Sequence, residues 1–126
     1  MKSKIIIGKF GEKIAERYLQ NNGYQIIAKN YYTRAGEIDL ICEKNNVLIF
    51  VEIKTRTTTA FGWPEEAITV EKQKHLVKAA EKFLENYDKD FYSVQIDAIS
   101  INLVGGKTAR IKHWKNIGQD ILQPAD

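Results

Sequence analysis

The chain has 126 residues, of which 44% are hydrophobic and 28% are charged, and this composition predicts one globular domain with a substantial core. No apolar run approaches the roughly 20 residues that a membrane span needs, so we expect no membrane association. The single cysteine, Cys42, excludes an intramolecular disulfide and favours a reducing, cytoplasmic location.

The net charge of +3 is unevenly distributed along the chain. Residues 1–34 hold seven lysines and arginines against two glutamates, whereas the remainder holds 12 lysines and arginines against 14 acidic residues. A basic end beside acidic residues fits a polyanionic partner such as nucleic acid. On charge alone, a solvated surface is the simpler interpretation.

The first predicted helix covers residues 8–22 and ends at Gly23, a typical C-cap residue. Glu12 lies at the edge of its apolar arc and is placed to overhang the sheet on which the helix packs. The alternative is an ordinary first-turn glutamate that the helix dipole favours. At about 100° per residue, five side chains form that arc: Phe10, Ile14, Ala15, Tyr18 and Leu19.

Three strands of an antiparallel meander are predicted next. The first strand covers Tyr24–Tyr32, and the stretch Gly36–Arg56 predicts two more strands joined by a tight turn. Asn45-Asn46 suits a two-residue turn because asparagine tolerates positive φ.

This turn places Asp39 opposite Glu52, with Lys54 on the same face of the sheet. A four-residue loop would make the two carboxylates diagonal neighbours, and a three-residue loop would separate them. Opposed side chains have Cβ atoms roughly 4.5–5.5 Å apart, so two carboxylates there repel each other. We expect either Lys54 or a bound cation to compensate, and paired carboxylates suit Mg²⁺.

A polar loop follows the third strand and is placed to border the same site. Within this loop Arg56 suits a phosphate contact, while Phe61 and Trp63 suit either base stacking or coverage of the core edge. Pro64 predicts the first turn of a short helix.

The second long helix is predicted over Val70–Tyr87, with Thr69 as its N-cap. Gln73 falls inside its apolar arc and Lys72 at the edge of that arc. An inward glutamine is either a site residue or a satisfied structural amide, and the sequence does not decide between these. The arc contains Val70, Leu76, Val77, Ala79, Ala80, Phe83, Leu84 and Tyr87.

A fourth strand over Phe91–Leu103 carries Asp97 in its middle, which we interpret as a buried, structurally paired carboxylate. Gly105-Gly106 predicts a hairpin turn into a last strand over Thr108–Trp114. That strand is predicted to be a solvated edge, exposing Lys107, Arg110, Lys112 and His113. We therefore expect one domain over residues 1–115 and a loose tail over residues 116–126.

Asp39 followed by Glu52-Ile53-Lys54 resembles the D…(D/E)xK signature of the PD-(D/E)xK nuclease superfamily, although Ile38 stands where the superfamily name has proline. More closely, the chain resembles the YraN family of small bacterial proteins related to Holliday-junction resolvases. The resemblance covers roughly residues 8–100. It is carried by Gly11-Glu12, GEIDLI (36–41), FVEIKTR (50–56), FGWPEEAIT (61–69), Lys72-Gln73 and Asp97.

The resemblance implies an α+β fold with a restriction-endonuclease-like αβββαβ core, in which helices flank a mixed sheet. It implies a metal-dependent endonuclease acting on DNA, with branched or junction DNA as the leading substrate and a homodimer by analogy. Mg²⁺ or Mn²⁺ would be held by Asp39, Glu52 and the Ile53 carbonyl, and Glu12 would bind a second ion or orient a water.

The remaining predicted site residues have distinct roles. Lys54 would hold the attacking water or stabilise charge on phosphorus, and Gln73 would position the water or a phosphate. The residues predicted to contact the nucleic acid are Lys13, Arg34, Arg56 and Lys72. Two alternatives stay open, namely a nucleic-acid-binding module that does not cut and a protein-interaction scaffold with a structural acidic cluster.

Overall fold

The computed structural model describes residues 4–57, 69–105 and 108–117, which form two helices and five strands. The predicted short helix at Pro64, the aromatic residues Phe61 and Trp63, and the turn residue Gly106 lie outside the described residues. In chain order the elements are α1 (Lys4–Asn21), β1 (Gln25–Tyr32), β2 (Glu37–Lys44), β3 (Val47–Arg56), α2 (Val70–Glu85), β4 (Ser93–Val104) and β5 (Thr108–Trp114).

The five strands form one mixed sheet in the order β1-β2-β3-β4-β5. β3 and β4 are parallel, and the other neighbouring pairs are antiparallel. α2 lies in the crossover between β3 and β4, since parallel neighbours need a long connection. The predicted αβββαβ core in a mixed sheet is confirmed, and β5 is an edge strand as predicted.

Side-chain alternation gives the sheet two apolar faces, and one helix covers each face. Ala15 and Leu19 of α1 pack against one face in a cluster that includes Val51. Leu76 of α2 packs against the opposite face in a cluster that includes Phe50. Neither helix of the described segments is long and apolar enough to cross a membrane.

α1 begins at Lys4, whereas the sequence predicts a start at residue 8. The prediction treated Gly8 as the first helical residue, but an internal glycine costs only about 0.5–1 kcal/mol relative to alanine, too little to stop a helix. Ile5 and Ile6 in the added turn are exposed. The helix therefore extends beyond the part that the sheet covers.

The predicted end of α1 at Gly23 is correct. Gly23 has φ of +86°, its N–H donates to the Gln20 carbonyl at 3.1 Å, and the Tyr24 N–H donates to the Leu19 carbonyl at 3.0 Å. This pair of bonds is a Schellman motif, which satisfies carbonyls that the helix end leaves unpaired.

The predicted apolar arc of α1 is wrong at Phe10, whose side chain is 55% exposed. The buried side of the helix centres on Gly11 and Ala15 instead. Gly11 lies so close to β3 that an added Cβ would fall 1.8 Å from Thr55 Oγ1. Because the smallest side chains permit the closest approach, they define the packed face and turn Phe10 outward.

The close approach of α1 to β3 predicts opposite effects for two glycine substitutions in one helix. Gly11→Ala should lower the free energy of unfolding by about 1–3 kcal/mol, since the new methyl group overpacks against Thr55. Gly8→Ala should raise it by about 0.5–1 kcal/mol, because nothing lies within 4 Å of its added Cβ. Urea denaturation measures both values, and equal effects would contradict this account.

α2 begins after the predicted N-cap, because the Thr69 side chain accepts a hydrogen bond from the Lys72 N–H. The helix ends at Glu85, with Asn86 as its C-cap, two residues before the predicted end. The predicted apolar arc is wrong at Val70, which is 63% exposed. The buried stripe of α2 begins at Leu76, so the first turn lies beyond the part of the helix that the sheet covers.

His113 on β5 is buried, whereas the sequence predicts a solvated edge residue. Its side chain is only 5% exposed, and its Nε2 lies 2.7 Å from Asp97 Oδ2. Its Nδ1 lies 2.9 Å from the Tyr18 hydroxyl on α1. His113 lies on the same face of β5 as Ile111, which packs against the cluster that contains Ala15 and Leu19 of α1. This face of the edge strand is therefore buried.

Asp97 is buried and paired, as the sequence predicts. It accepts hydrogen bonds from Gln95 Nε2 and from the Asn116 N–H, both at 2.9 Å, besides the contact with His113. The Ile117 N–H also donates to the Ile96 carbonyl at 2.8 Å. The prediction of a loose tail from residue 116 is therefore wrong for Asn116 and Ile117, and residues 118–126 lie outside the described ranges.

Candidate active site

The β2–β3 hairpin has the predicted turn and register. Asn45 and Asn46 have φ of 53° and 64°, the positive values that a two-residue turn requires at both positions. Lys44 pairs with Val47, and the ladder continues residue by residue until Leu40 pairs with Val51. The paired ladder ends there, and Asp39 and Glu52 are the next residues along the two strands.

Asp39 lies where the β2–β3 ladder ends. Its Oδ2 accepts a hydrogen bond from the Ile53 N–H at 2.8 Å, so the side chain occupies the place of the next ladder acceptor. In an extended strand the N–H and C=O of one residue point to the same side. The Ile53 carbonyl, a predicted metal ligand, therefore lies on the β2 side of β3, as Asp39 does.

Glu52 is paired with a lysine of α2. Its Oε1 lies 3.3 Å from Lys72 Nζ, and the Glu52 side chain is only 14% exposed. Lys54, which the sequence proposes as the compensating charge, is exposed. Its charge lowers the pKa of Glu52 less than the charge of Lys72 does. The direct counter-charge thus comes from a residue that the sequence assigned to nucleic-acid contact.

The carboxyl groups of Asp39 and Glu52 are hard to ionise together. Burial, followed by repulsion from Glu52, raises the pKa of Asp39 to about 8, although the Ile53 N–H opposes the shift. Burial also raises the pKa of Glu52, while the Lys72 ammonium opposes that rise. Because an added positive charge relieves both effects, the site favours a cation.

Glu12 reaches the same region from α1. Its Oε1 lies 3.8 Å from Lys9 Nζ, and its charge contributes to the raised pKa of Asp39. With its amide nitrogen facing the carboxylates, Asn30 donates to Glu12 Oε1 at 3.2 Å and to Glu37 Oε1 at 3.0 Å. One amide therefore links α1 to β2 at the edge of the site.

Sequence reasoning missed Asn30 and Glu37. Glu37 was detectable, since it lies two positions before Asp39 and strand alternation places both on one face. Asn30 gave no such signal, because its φ of 51° and the β1 irregularity between Ile26 and Ala28 are properties of the folded strand.

A cleft of about 430 Å³ lies between the start of α1 and the end of β3. It brings together four of the predicted site residues, Glu12, Ile53, Lys54 and Arg56. The other residues that line it are Ile7, Gly8, Thr55 and Thr57.

The remaining predicted site residues do not line this cleft; they are Lys13, Arg34, Asp39, Glu52, Lys72 and Gln73. Gln73 is half-buried and follows Lys72 in the first turn of α2. Lys13 on α1 and Arg34 in the β1–β2 turn are exposed, and neither lines the cleft. Their contacts with nucleic acid stay a prediction, which would place such contacts on the surface outside the cleft.

The donor set fits a hard divalent cation in its chemistry. Two carboxylates with raised pKa values and a backbone carbonyl supply only oxygen ligands, which Mg²⁺ and Mn²⁺ prefer. Within the described ranges, no three Asp, Glu, His or Cys side chains form a group that could hold a metal ion. The candidate set is therefore Asp39, Glu52 and the Ile53 carbonyl, with Lys72 in contact with one of its members.

Comparison with known proteins identifies a family. The model of "Uncharacterised protein family UPF0102" matches residues 11–101, a range that contains every predicted catalytic residue. A UPF0102 protein of Syntrophomonas wolfei is 44% identical over 110 residues, which cover 87% of this chain and 95% of the relative. A UPF0102 protein of Beutenbergia cavernae is 35% identical over 118 residues, covering 94% and 100% respectively.

Proposed function

This chain belongs to the uncharacterised protein family UPF0102, and we propose that it is a metal-dependent endonuclease of the PD-(D/E)xK type that hydrolyses phosphodiester bonds in DNA. One observation carries the proposal: Asp39 and Glu52, two mostly buried carboxyl groups that repel each other, lie directly beyond the last pair of the β2–β3 ladder. Such a pair destabilises a sheet unless a cation neutralises it.

Each site residue has a definite part in this proposal. Asp39, Glu52 and the Ile53 carbonyl would hold Mg²⁺ or Mn²⁺, which supplies phosphoryl polarisation and a more acidic bound water. Glu12, which lines the cleft, would orient water or bind a second ion. Lys54 would hold the attacking water or stabilise charge on phosphorus. Gln73 would position the water or a phosphate.

The cleft supports a phosphodiester substrate. Lys54 and Arg56 line it beside Glu12 and Ile53, so cationic groups for phosphate contact stand next to one proposed metal-site carboxylate and to the residue whose carbonyl is a proposed ligand. DNA with branches or junctions is the substrate that we propose first, by analogy with the resolvases.

A cleavage assay tests the proposal. The wild type and the Asp39→Asn/Glu52→Gln variant would be incubated with labelled single-stranded, duplex, flapped and four-way-junction DNA and with a structured RNA, in Mg²⁺, Mn²⁺ or EDTA. Asp90→Asn/Glu85→Gln, which changes two exposed acids, is the matched control. We expect metal-dependent products from the wild type and the control, and none from the site variant.

The same assay separates the two alternative functions. Salt-sensitive binding of DNA without products in any metal would favour a nucleic-acid-binding module. Neither binding nor cleavage would favour a scaffold, an alternative that the Lys72–Glu52 and Asn30–Glu12 contacts support, because such contacts also stabilise a purely structural cluster.

Removing the Lys54 ammonium should reduce hydrolysis more than DNA binding. We expect Lys54→Met to lower the single-turnover rate by about 10²-fold while changing the DNA dissociation constant only slightly, because Lys54 would act mainly on the transition state. Lys78→Met, an exposed lysine on α2, is the control and should change neither value. A loss of binding equal to the loss of rate would assign Lys54 to substrate binding instead.

A further inference from the structure

Lys72 contacts the carboxylate that the proposed metal ion needs. Its Nζ lies 3.3 Å from Glu52 Oε1, and its side chain is 48% exposed whereas that of Glu52 is 14% exposed. The ammonium therefore reaches a mostly buried carboxylate from the solvent side.

The backbone of Lys72 is fixed, but its side chain is long. The Lys72 N–H donates to Thr69 Oγ1 at 3.1 Å, which holds its Cα in the first turn of α2. A four-carbon side chain with rotatable bonds allows the ammonium to leave Glu52 without movement of the helix. The first turn of α2 also extends beyond the covered part of the sheet, as the exposed Val70 shows.

A divalent cation held by Glu52 would compete with the Lys72 ammonium for this carboxylate. Glu37 raises the pKa of Glu52 and Lys54 lowers it, but Lys72 has the largest effect of the charged groups around this carboxylate. A metal ion on Glu52 would repel the ammonium, because like charges at close range disfavour each other. The displaced ammonium would then be available to an anion beside the metal.

We infer that Lys72 is a built-in counter-cation of Glu52, and that metal binding releases it to contact a phosphate of the nucleic acid. The inference rests on the proposed function and adds an order of events, in which metal binding precedes full substrate binding. By linkage, metal and nucleic acid each strengthen the binding of the other.

Metal-free DNA binding gives the first test. In EDTA, Glu52→Gln should free Lys72 and make the salt dependence of duplex binding steeper by about 0.9, which corresponds to one added phosphate contact. The same substitution in a Lys72→Met background should leave the slope unchanged. Glu37→Gln, which removes a neighbouring carboxylate without releasing Lys72, controls for the general loss of negative charge.

Titration with Mn²⁺ gives the second test, by calorimetry on the free protein. Lys72→Met should bind Mn²⁺ about threefold to tenfold more tightly than the wild type, because the competing ammonium is absent. The metal-free variant should also have a lower melting temperature, because Glu52 loses its counter-charge.

The two tests distinguish the failure of this inference from the failure of the proposed function. If Mn²⁺ binds the wild type and Lys72→Met equally, and Glu52→Gln changes the salt slope equally in both backgrounds, Lys72 is not a switched residue although the metal site stands. If Mn²⁺ binds neither protein, the proposed metal site is wrong and this inference falls with it.

Discussion

Asp39→Asn is expected to abolish metal-dependent cleavage and, at pH 8 without metal, to raise the free energy of unfolding by about 1–3 kcal/mol. Asparagine keeps an oxygen that can accept the Ile53 N–H, so the strand contact survives. What it removes is a buried carboxyl group that repels Glu52. A residue that a metal site requires is therefore a residue that destabilises the protein when the metal is absent.

The pH dependence of this effect has a definite sign. The pKa of Asp39 is raised to about 8 in the folded protein from 3.8, mainly by burial and then by Glu52. Between these values the folded state holds a proton that the unfolded state has lost, so metal-free stability falls as pH rises from about 4 to about 8. The stability of Asp39→Asn should not show this fall with pH. Its free energy of unfolding should be closest to that of the wild type near pH 4.

Urea denaturation between pH 4 and pH 9, with and without Mn²⁺, measures the prediction. Asp90→Asn, an exposed aspartate, is the matched control and should follow the wild-type profile. Saturating metal should stabilise the wild type, by about 2.7 kcal/mol at a hundredfold excess over the dissociation constant, but not Asp39→Asn. A metal-free Asp39→Asn protein that is less stable than the wild type at pH 8 would favour the structural cluster.

The central hairpin could be predicted because its determinants are local. Asn45 and Asn46 adopt positive φ through their own chemistry, and residue-by-residue pairing then carries the register to Leu40 and Val51, next to Asp39 and Glu52. The mixed sheet was instead predicted from the family resemblance, since the strand patterns alone predict an antiparallel meander for the first three strands.

The errors at helix faces have one physical cause. An arc of apolar residues shows which side of a helix is hydrophobic. It does not show how closely the sheet approaches that side, or how many turns of the helix the sheet covers. Gly11 lets α1 approach Thr55 and leaves Phe10 outside, while Val70 lies in a turn that precedes the covered stripe of α2.

The counter-charges and supports of the candidate site could not be predicted, because they come from distant parts of the chain. Lys72 is 20 positions from Glu52 in the sequence but contacts it in the fold. The link from Asn30 to Glu12 depends on a left-handed residue in an irregular strand. Local patterns located the carboxylates, and tertiary packing decides what surrounds them.

Two fully buried polar residues of β4 are expected to respond in opposite ways to replacement by leucine. Asp97→Leu should lower the free energy of unfolding by about 3–5 kcal/mol, because His113 Nε2 and the Asn116 N–H lose their acceptor. The substitution should also weaken the contact of β5 with α1, since His113 Nδ1 forms a hydrogen bond with the Tyr18 hydroxyl.

Asn102→Leu should instead raise the free energy of unfolding by about 1–2 kcal/mol. The Asn102 side chain is 0% exposed, and neither its Nδ2 nor its Oδ1 has a hydrogen-bond partner among the described residues. Burying an unpaired amide costs free energy that a leucine of similar size avoids. Urea denaturation of both variants measures the contrast, and a destabilised Asn102→Leu protein would show that this amide is paired. If the expected contrast is observed, burial alone does not predict how a substitution in β4 changes the free energy of unfolding. The hydrogen bonds that the replaced side chain makes would decide whether that free energy falls or rises.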